Sequence, residues 1–319
     1  MGGGVGQPLG SPVRRGLVVK PVHETAGAVM MLGMSETVAD EWSPADNPYA
    51  IAVSEAQWWQ RTATLAVRRI RADDDDNGDP FFDSRQIDAR QLCVALRQLL
   101  MAEKLEQIAL ADLGIDPAVG QALGEARERF EAALPGIKHM RDGLIHFEDW
   151  SRGKGIGPQQ KRIKAGGTAR DVARHFWGFA YDPRADTVTM GPYRIDVGAV
   201  EEAAGELAFA IYLAAHEVDK RNTARMRATV AQALTAARIP CGREEAVRVS
   251  AGDDGRVWLS FTPGVLPGEP ERQALAERVI ATLTTSSLRL SGATTLQPAE
   301  AVTSLVGGQF LRVEPDPTA

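Results

Sequence analysis

The sequence predicts a mainly α-helical protein, an antiparallel helical bundle with an inserted β-hairpin and a small α+β appendage at its C-terminal end. Three observations carry this. Long stretches between residues 48 and 150 repeat apolar residues at three- and four-residue steps and are separated by short Pro- or Gly-containing joints, which favours antiparallel helix neighbours. Residues 176–181 and 187–195 alternate around Asp182-Pro183-Arg184-Ala185-Asp186, as hairpin strands do. After Ile239-Pro240 the composition changes, and short alternating runs flank Gly252-Asp253-Asp254-Gly255, a strong turn signal.

Taken in order, residues 1–45 are rich in Gly, Pro, Ser and small side chains without a sustained period. They read as a flexible arm with a short ordered piece around residues 28–34. Asp46-Asn47-Pro48 looks like a capped helix start, and Ile51, Trp58, Leu65 and Ile70 predict a first helix that ends at Asp73–Asp76. Those contiguous aspartates repel one another and cannot all face one ion, so a solvated loop is expected. Asp83 or Ser84 opens a second helix with a broad buried face through Leu92, Leu96, Leu99 and Leu105. Asp116-Pro117 starts a third, and Pro135-Gly136 joins it to a fourth over residues 137–150. A short helix is expected over 168–175. Asp196 caps a final long helix through about Asp219, and the lack of Gly or Pro between residues 221 and 238 leaves it open to run on. The expected organisation is therefore an arm over 1–45, a bundle over 46–220 and an appendage over 221–319.

The chain has 319 residues, 44% apolar and 24% charged, ordinary for a globular protein able to bury a core without disulfide or metal staples. Its net charge of −6 does not mark the whole chain as a nucleic-acid binder, so any such role must rest on a local patch. Cys93 and Cys241 lie far apart; Cys93 reads as a small buried hydrophobe, and no disulfide framework is expected. No apolar run reaches transmembrane length, and the N-terminal residues lack a charge–apolar–cleavage pattern. A cytoplasmic protein without membrane contact, cofactor or metal is expected.

The chemistry concentrates on residues 137–150. Ile137, Met140, Leu144 and Phe147 form one apolar stripe, and at about 100° per residue His139, Asp142, Gly143 and His146 fall on roughly the opposite side, with Arg141 on the flank. Glycine costs helix stability there, and what it gives is close approach of another helix or a ligand. The next segment, 151–170, contains Arg152, Lys154, Lys161, Arg162, Lys164 and Arg170, five glycines and no acid. In a net acidic chain this is a local anion-binding signal or, alternatively, a solvated loop. It is not a phosphate-binding Walker loop, because the Gly-Lys-Ser/Thr ending is missing.

Arg141-Asp142-Gly143-Leu144-Ile145-His146, an Arg-polar-x-x-x-His run inside a predicted bundle, resembles the HEPN superfamily, whose ribonuclease members carry Arg, four to six residues, then His. The resemblance covers residues 48–220 as architecture and six positions as a motif. It implies an HEPN-like bundle and metal-independent RNA cleavage by 2′-hydroxyl attack, leaving a cyclic phosphate and a 5′-hydroxyl. It also implies a homodimer whose motif helices pack side by side into a composite site. Toxin–antitoxin or antiphage defence settings, with an antitoxin or defence-system partner protein, follow from resemblance alone. The roles fit the residue types. Imidazole can take or give a proton near neutrality, and guanidinium can grip phosphate as charge builds up. Asp142, four residues before His146, would orient the ring. Arg141 and His146 diverge by about 140° around one helix, so one helix does not easily aim both at one phosphate; the composite dimer site that the resemblance implies would answer this. Arg152, Lys154, Lys161, Arg162 and Lys164 are the expected phosphate contacts.

Arg170-Asp171-Val172-Ala173-Arg174-His175 repeats the pattern, making Arg170, Asp171 and His175 secondary candidates, together with His139. Two other classes remain open. His139, Asp142 and His146 could share a face as metal ligands of a helix-bundle hydrolase, with acids such as Glu103, Glu106 or Glu125 facing them. A degenerate HEPN-like bundle could instead bind RNA or protein without cleaving. Taken singly, His139, His175 and His216 read as structural or solvated, and Trp58, Trp59, Phe209 and Tyr212 as core or interface.

Overall fold

Proline at the first turn of a helix loses no hydrogen bond, and Pro48 and Pro117 both use that position in the computed structural model. The structure describes residues 43–72, 83–252, 255–265, 268–292 and 295–316. The arm expected over 1–45, apart from its last three residues, and the loop at Asp73–Asp76 lie outside the described residues. Residues 47–319 form one unit; Pro44–Asp46, a single 3-10 turn, belongs to the segment before it.

The first unit of packing is helical. Helices α1 (Pro48–Arg71), α2 (Ser84–Leu113) and α3 (Pro117–Ala133) follow one another as expected. Asp83 and Asp116 cap α2 and α3 by accepting from the Arg85 and Ala118 amides at 2.9 Å, whereas Asn47 makes no such bond at α1. Helices α4 (Ile137–Ile145), α5 (Phe147–Trp150), α6 (Pro158–Lys164) and α7 (Ala169–Phe176) are short and lead into a sheet. That sheet has three strands rather than the expected two. β1 (Phe179–Asp182), β2 (Thr187–Met190) and β3 (Tyr193–Asp196) form an antiparallel meander, with Tyr181 opposite Val188 and Val188 opposite Ile195. A turn at Gly191-Pro192 splits the expected second strand.

Asp196 caps a short 3-10 turn through the Gly198 amide at 2.7 Å, and α8 (Val200–Ala236) then runs unbroken for 37 residues. Residue 221, where the appendage was expected to begin, therefore lies inside a helix. Along α8, residues from Val200 to Val218 pack in a first core with α1, α2, α3 and α4, while Val230 and Leu234 belong to a second. The second core is closed by β4 (Val247–Ala251), β5 (Val257–Phe261), α9 (Glu269–Thr285), β6 (Leu288–Ser291), α10 (Pro298–Val306) and β7 (Leu311–Pro315). Its antiparallel sheet runs β4-β5-β7-β6. Among the described residues there are ten α-helices, and none is long and apolar enough to cross a membrane.

The bundle interior holds an acidic centre. Glu103 and Glu106 occupy the buried face of α2 in the same helical row as Leu92, Leu96, Leu99 and Leu110, and are 1% and 0% exposed. Arg127 of α3 approaches Glu103 at 3.8 Å. The Glu106 carboxylate has no hydrogen-bond partner among the described residues. Burial, then the charge of Asp219 on α8, pushes its pKa up to about 8. The Tyr49 hydroxyl donates to Asp219 at 3.3 Å, tying the start of α1 to α8, and its own pKa is pushed to about 12 by burial and that carboxylate.

Glu106 stays protonated in the fold at pH values where the unfolded chain ionises it. Its stabilising contribution is complete below the ordinary carboxylate range and is lost as pH rises through about 8. Glu106→Gln, which keeps the shape and removes the titration, is expected to flatten the fall in thermal midpoint between pH 6 and pH 9. Melting curves of the two proteins across that range provide the check, and parallel curves would contradict the assignment.

Candidate functional site

The motif helix ends earlier than its periodicity predicts. α4 stops at Ile145, and His146 adopts φ −104° and ψ 42°, closing α4 with its amide on the Asp142 carbonyl at 2.9 Å. α5 then starts on a new axis. The reason lies in Trp150, 2% exposed, whose indole meets the Phe176 ring edge-on at 6.0 Å. Swinging Trp150 into the core turns Phe147 outward, to 60% exposure. The apolar stripe is therefore Ile137, Met140 and Trp150, with Leu144 half-buried, and does not include Phe147.

Gly143 also changes sides. It is buried, and a Cβ there would lie 2.3 Å from Met190 Cε and 3.0 Å from Trp150 Cε3. The close approach inferred from this glycine is real, but the groups that approach come from the same chain.

Asp142 pairs with Arg141, Oδ1 to Nη1 at 3.2 Å, rather than orienting the His146 ring. Arg141 Nε is buried without a partner, so the guanidinium lies along the helix surface, about one quarter exposed. His146 is exposed, and its ring has no hydrogen bond, ion pair or ring contact among the described residues. It stands between two exposed apolar side chains, Ile145 and Phe147. His139 is half-buried against Tyr193, with ring centroids 5.1 Å apart. Burial lowers its pKa, and the Asp142 charge opposes that only in part.

The Gly-rich segment is built, not merely solvated. Gln159, fully buried, accepts from the Gly155 amide at 2.7 Å and donates to the Trp150 carbonyl at 3.0 Å. Gly153 has φ +71°, and a Cβ there would sit 2.2 Å from the Ala169 carbonyl oxygen. These contacts fix the loop that presents α6. Lys154, Lys161, Arg162 and Lys164 are exposed and have no ion pair among the described residues, whereas Arg152 is bonded to Asp149 at 2.6 Å and to the Glu148 carbonyl at 2.8 Å. Residues 137–176 carry nine Lys and Arg against four acids, and three of the five histidines, in a chain of net charge −6.

The second Arg-Asp-x-x-x-His set has a structural occupation. Thr168 caps α7 by accepting from the Asp171 amide at 3.2 Å and donates to the Asp171 carboxylate at 2.6 Å. Arg170 and His175 are exposed, and the His175 ring stands edge-on to Phe176 at 4.8 Å. His139, Asp142 and His146 do not converge as ligands: among the described residues no group of three or more His, Cys, Asp or Glu could hold a metal ion. Glu103 and Glu106 point into the bundle core instead. Gln159 and Trp150, which organise the site, escaped sequence reasoning because neither carries a motif. Glu103 and Glu106 left a signal in their spacing with the leucines of α2. No protein-family model, characterised protein or solved structure matches this chain.

Gly153→Ala would force a side chain into both a left-handed backbone and the Ala169 carbonyl. It is expected to cost ~2 kcal/mol or more, read as a lower urea midpoint, with faster proteolysis between residues 151 and 157.

Proposed function

We propose that the chain is a metal-independent endoribonuclease of HEPN type that acts as a homodimer. The observation that carries this reading is the placement of His146: an exposed imidazole at a helix break, rimmed by apolar Ile145 and Phe147 and five residues after Arg141, within the basic stretch of residues 137–176. Exposed apolar side chains beside a polar centre are what a protein contact covers. A second copy seated there would bring two imidazoles and two guanidiniums to one cleft, and Lys154, Lys161, Arg162 and Lys164 would lead the RNA backbone to it.

In that cleft one His146 takes the proton of a ribose 2′-hydroxyl. The 2′-oxygen forms a bond to phosphorus, the bond from phosphorus to the 5′-oxygen breaks, and the other His146 protonates the leaving oxygen. The guanidinium of Arg141, positioned by Asp142, holds the phosphate oxygens as their charge grows. The products are a 2′,3′-cyclic phosphate and a 5′-hydroxyl. A second reading, an RNA-binding module without cleavage, is favoured by the same Arg141–Asp142 pair, because that guanidinium is already engaged by a carboxylate.

His146→Ala is expected to lower RNA cleavage in excess chelator by about 10²–10⁴-fold, and Arg141→Ala by about 10²–10³-fold, with unchanged thermal midpoints. Phe147→Asp is expected to yield a monomer in sedimentation and to lose cleavage with it. Retained salt-sensitive RNA binding with no cleavage by the unaltered protein would establish the module instead. Cleavage indifferent to His146 would remove both the site and its mechanism.

A further inference from the structure

The sheet of the second core has two unlike faces. Val247, Val257, Leu259, Phe261, Leu288, Leu290, Leu311 and Val313 point inward and pack with residues of α8, α9 and α10. The alternate residues form the outer face, where the cross-strand registers align Ser250, Trp258, Arg312 and Ser291 in one row across all four strands. Arg248 stands opposite Ser260, and Arg289 opposite Glu314.

Trp258 is the anomaly. It sits on a central strand, is only partly buried, and joins neither hydrophobic core. A tryptophan that contributes to no core, half-buried on the outer face of an antiparallel sheet, keeps part of its ring available to another ring. Across the four strands this face carries three arginines, Arg248, Arg289 and Arg312, against one acid, Glu314. Glu314 holds two of them, Arg289 at 3.4 Å and Arg312 at 3.0 Å, while Arg289 Nε and the Ser291 hydroxyl are buried without partners. The row is otherwise completed by two small residues, Ser250, whose hydroxyl donates to the Trp258 carbonyl at 3.5 Å, and the buried Ser291.

We propose that this outer face binds single-stranded nucleic acid, with a base stacked on Trp258 and the backbone phosphates held by Arg248, Arg289 and Arg312. Stacking accounts for an aromatic with no core to join, and the excess of guanidinium in a net acidic chain accounts for a polyanionic partner. A duplex hides its base faces and cannot use the indole, so the surface selects unpaired strands. The site shares no residue with the cleft around His146, and its occupancy is independent of whether that cleft cleaves RNA.

The test uses the full chain carrying His146→Ala, so that no strand is cut, and fluorescently labelled uridine and thymidine homopolymers with a matching duplex as control. The unpaired strands are expected to bind more tightly than the duplex. Trp258→Ala is expected to weaken them by about tenfold, while Trp258→Phe keeps most of the affinity. Arg248→Gln with Arg312→Gln is expected to lower the logarithmic salt slope by about 1.4, the value for two phosphate contacts on a single strand. If Trp258→Ala unfolds the protein, Trp258→Phe and the double arginine variant carry the test, since neither empties a core. Binding that ignores both the indole and the two arginines overturns the proposal, as does a duplex bound as tightly as the unpaired strands. Absence of binding at low salt overturns it too and assigns the face to a protein contact. A difference between the uridine and thymidine strands identifies which nucleic acid the face prefers.

Discussion

The burial of Trp150 is the contact on which the basic surface depends. One indole, packed beneath Gly143 and against Phe176, ends α4 at Ile145, turns Phe147 into solvent and leaves His146 at an exposed break. Its backbone carbonyl then anchors Gln159, which fixes the loop at Gly155 and sets the start of α6. A buried amide with both ends satisfied is a low-cost way to hold an otherwise open loop. The cationic side chains of α6 therefore project from a supported backbone.

The acidic centre of the bundle is a different kind of constraint. Glu106 and Asp219 are brought together from α2 and α8, with Tyr49 of α1 bonded to the latter. Burying carboxyls in a helical core weakens it, and apolar residues of similar volume would be more stable. The Tyr49–Asp219 bond ties α1 to α8, and Glu106 meets the charge of that same carboxylate from α2.

The helical class and most helix boundaries were legible because they rest on local signals: capping aspartates, proline at first turns, and apolar spacing sustained over several turns. The details of the motif helix were not. Periodicity places Phe147 only if the helix continues, and no glycine or proline marks the break at His146; Gly143, still inside α4, is buried because Met190 and Trp150 close over it. The break goes with the burial of Trp150, whose ring partner Phe176 lies on α7, 26 residues on. The same limit hid the third strand at Tyr193–Asp196 and the sheet position of Trp258, since cross-strand neighbours are set by tertiary pairing. The two Arg-Asp-x-x-x-His sets, indistinguishable as text, separate in space: Asp171 serves a helix cap, while Asp142 braces a guanidinium.

Helix α8 joins two cores without a hinge. At 37 residues it is about 55 Å long, and it has neither glycine nor proline beyond Gly205 to absorb a bend. Such a rod works as a lever. A tilt of about 5° pivoting at one end sweeps the other through about 5 Å, roughly one helical turn. Leu234 lies 16 residues beyond Val218, about 24 Å along the rod, so the same tilt pivoting at Val218 would move it by about 2 Å.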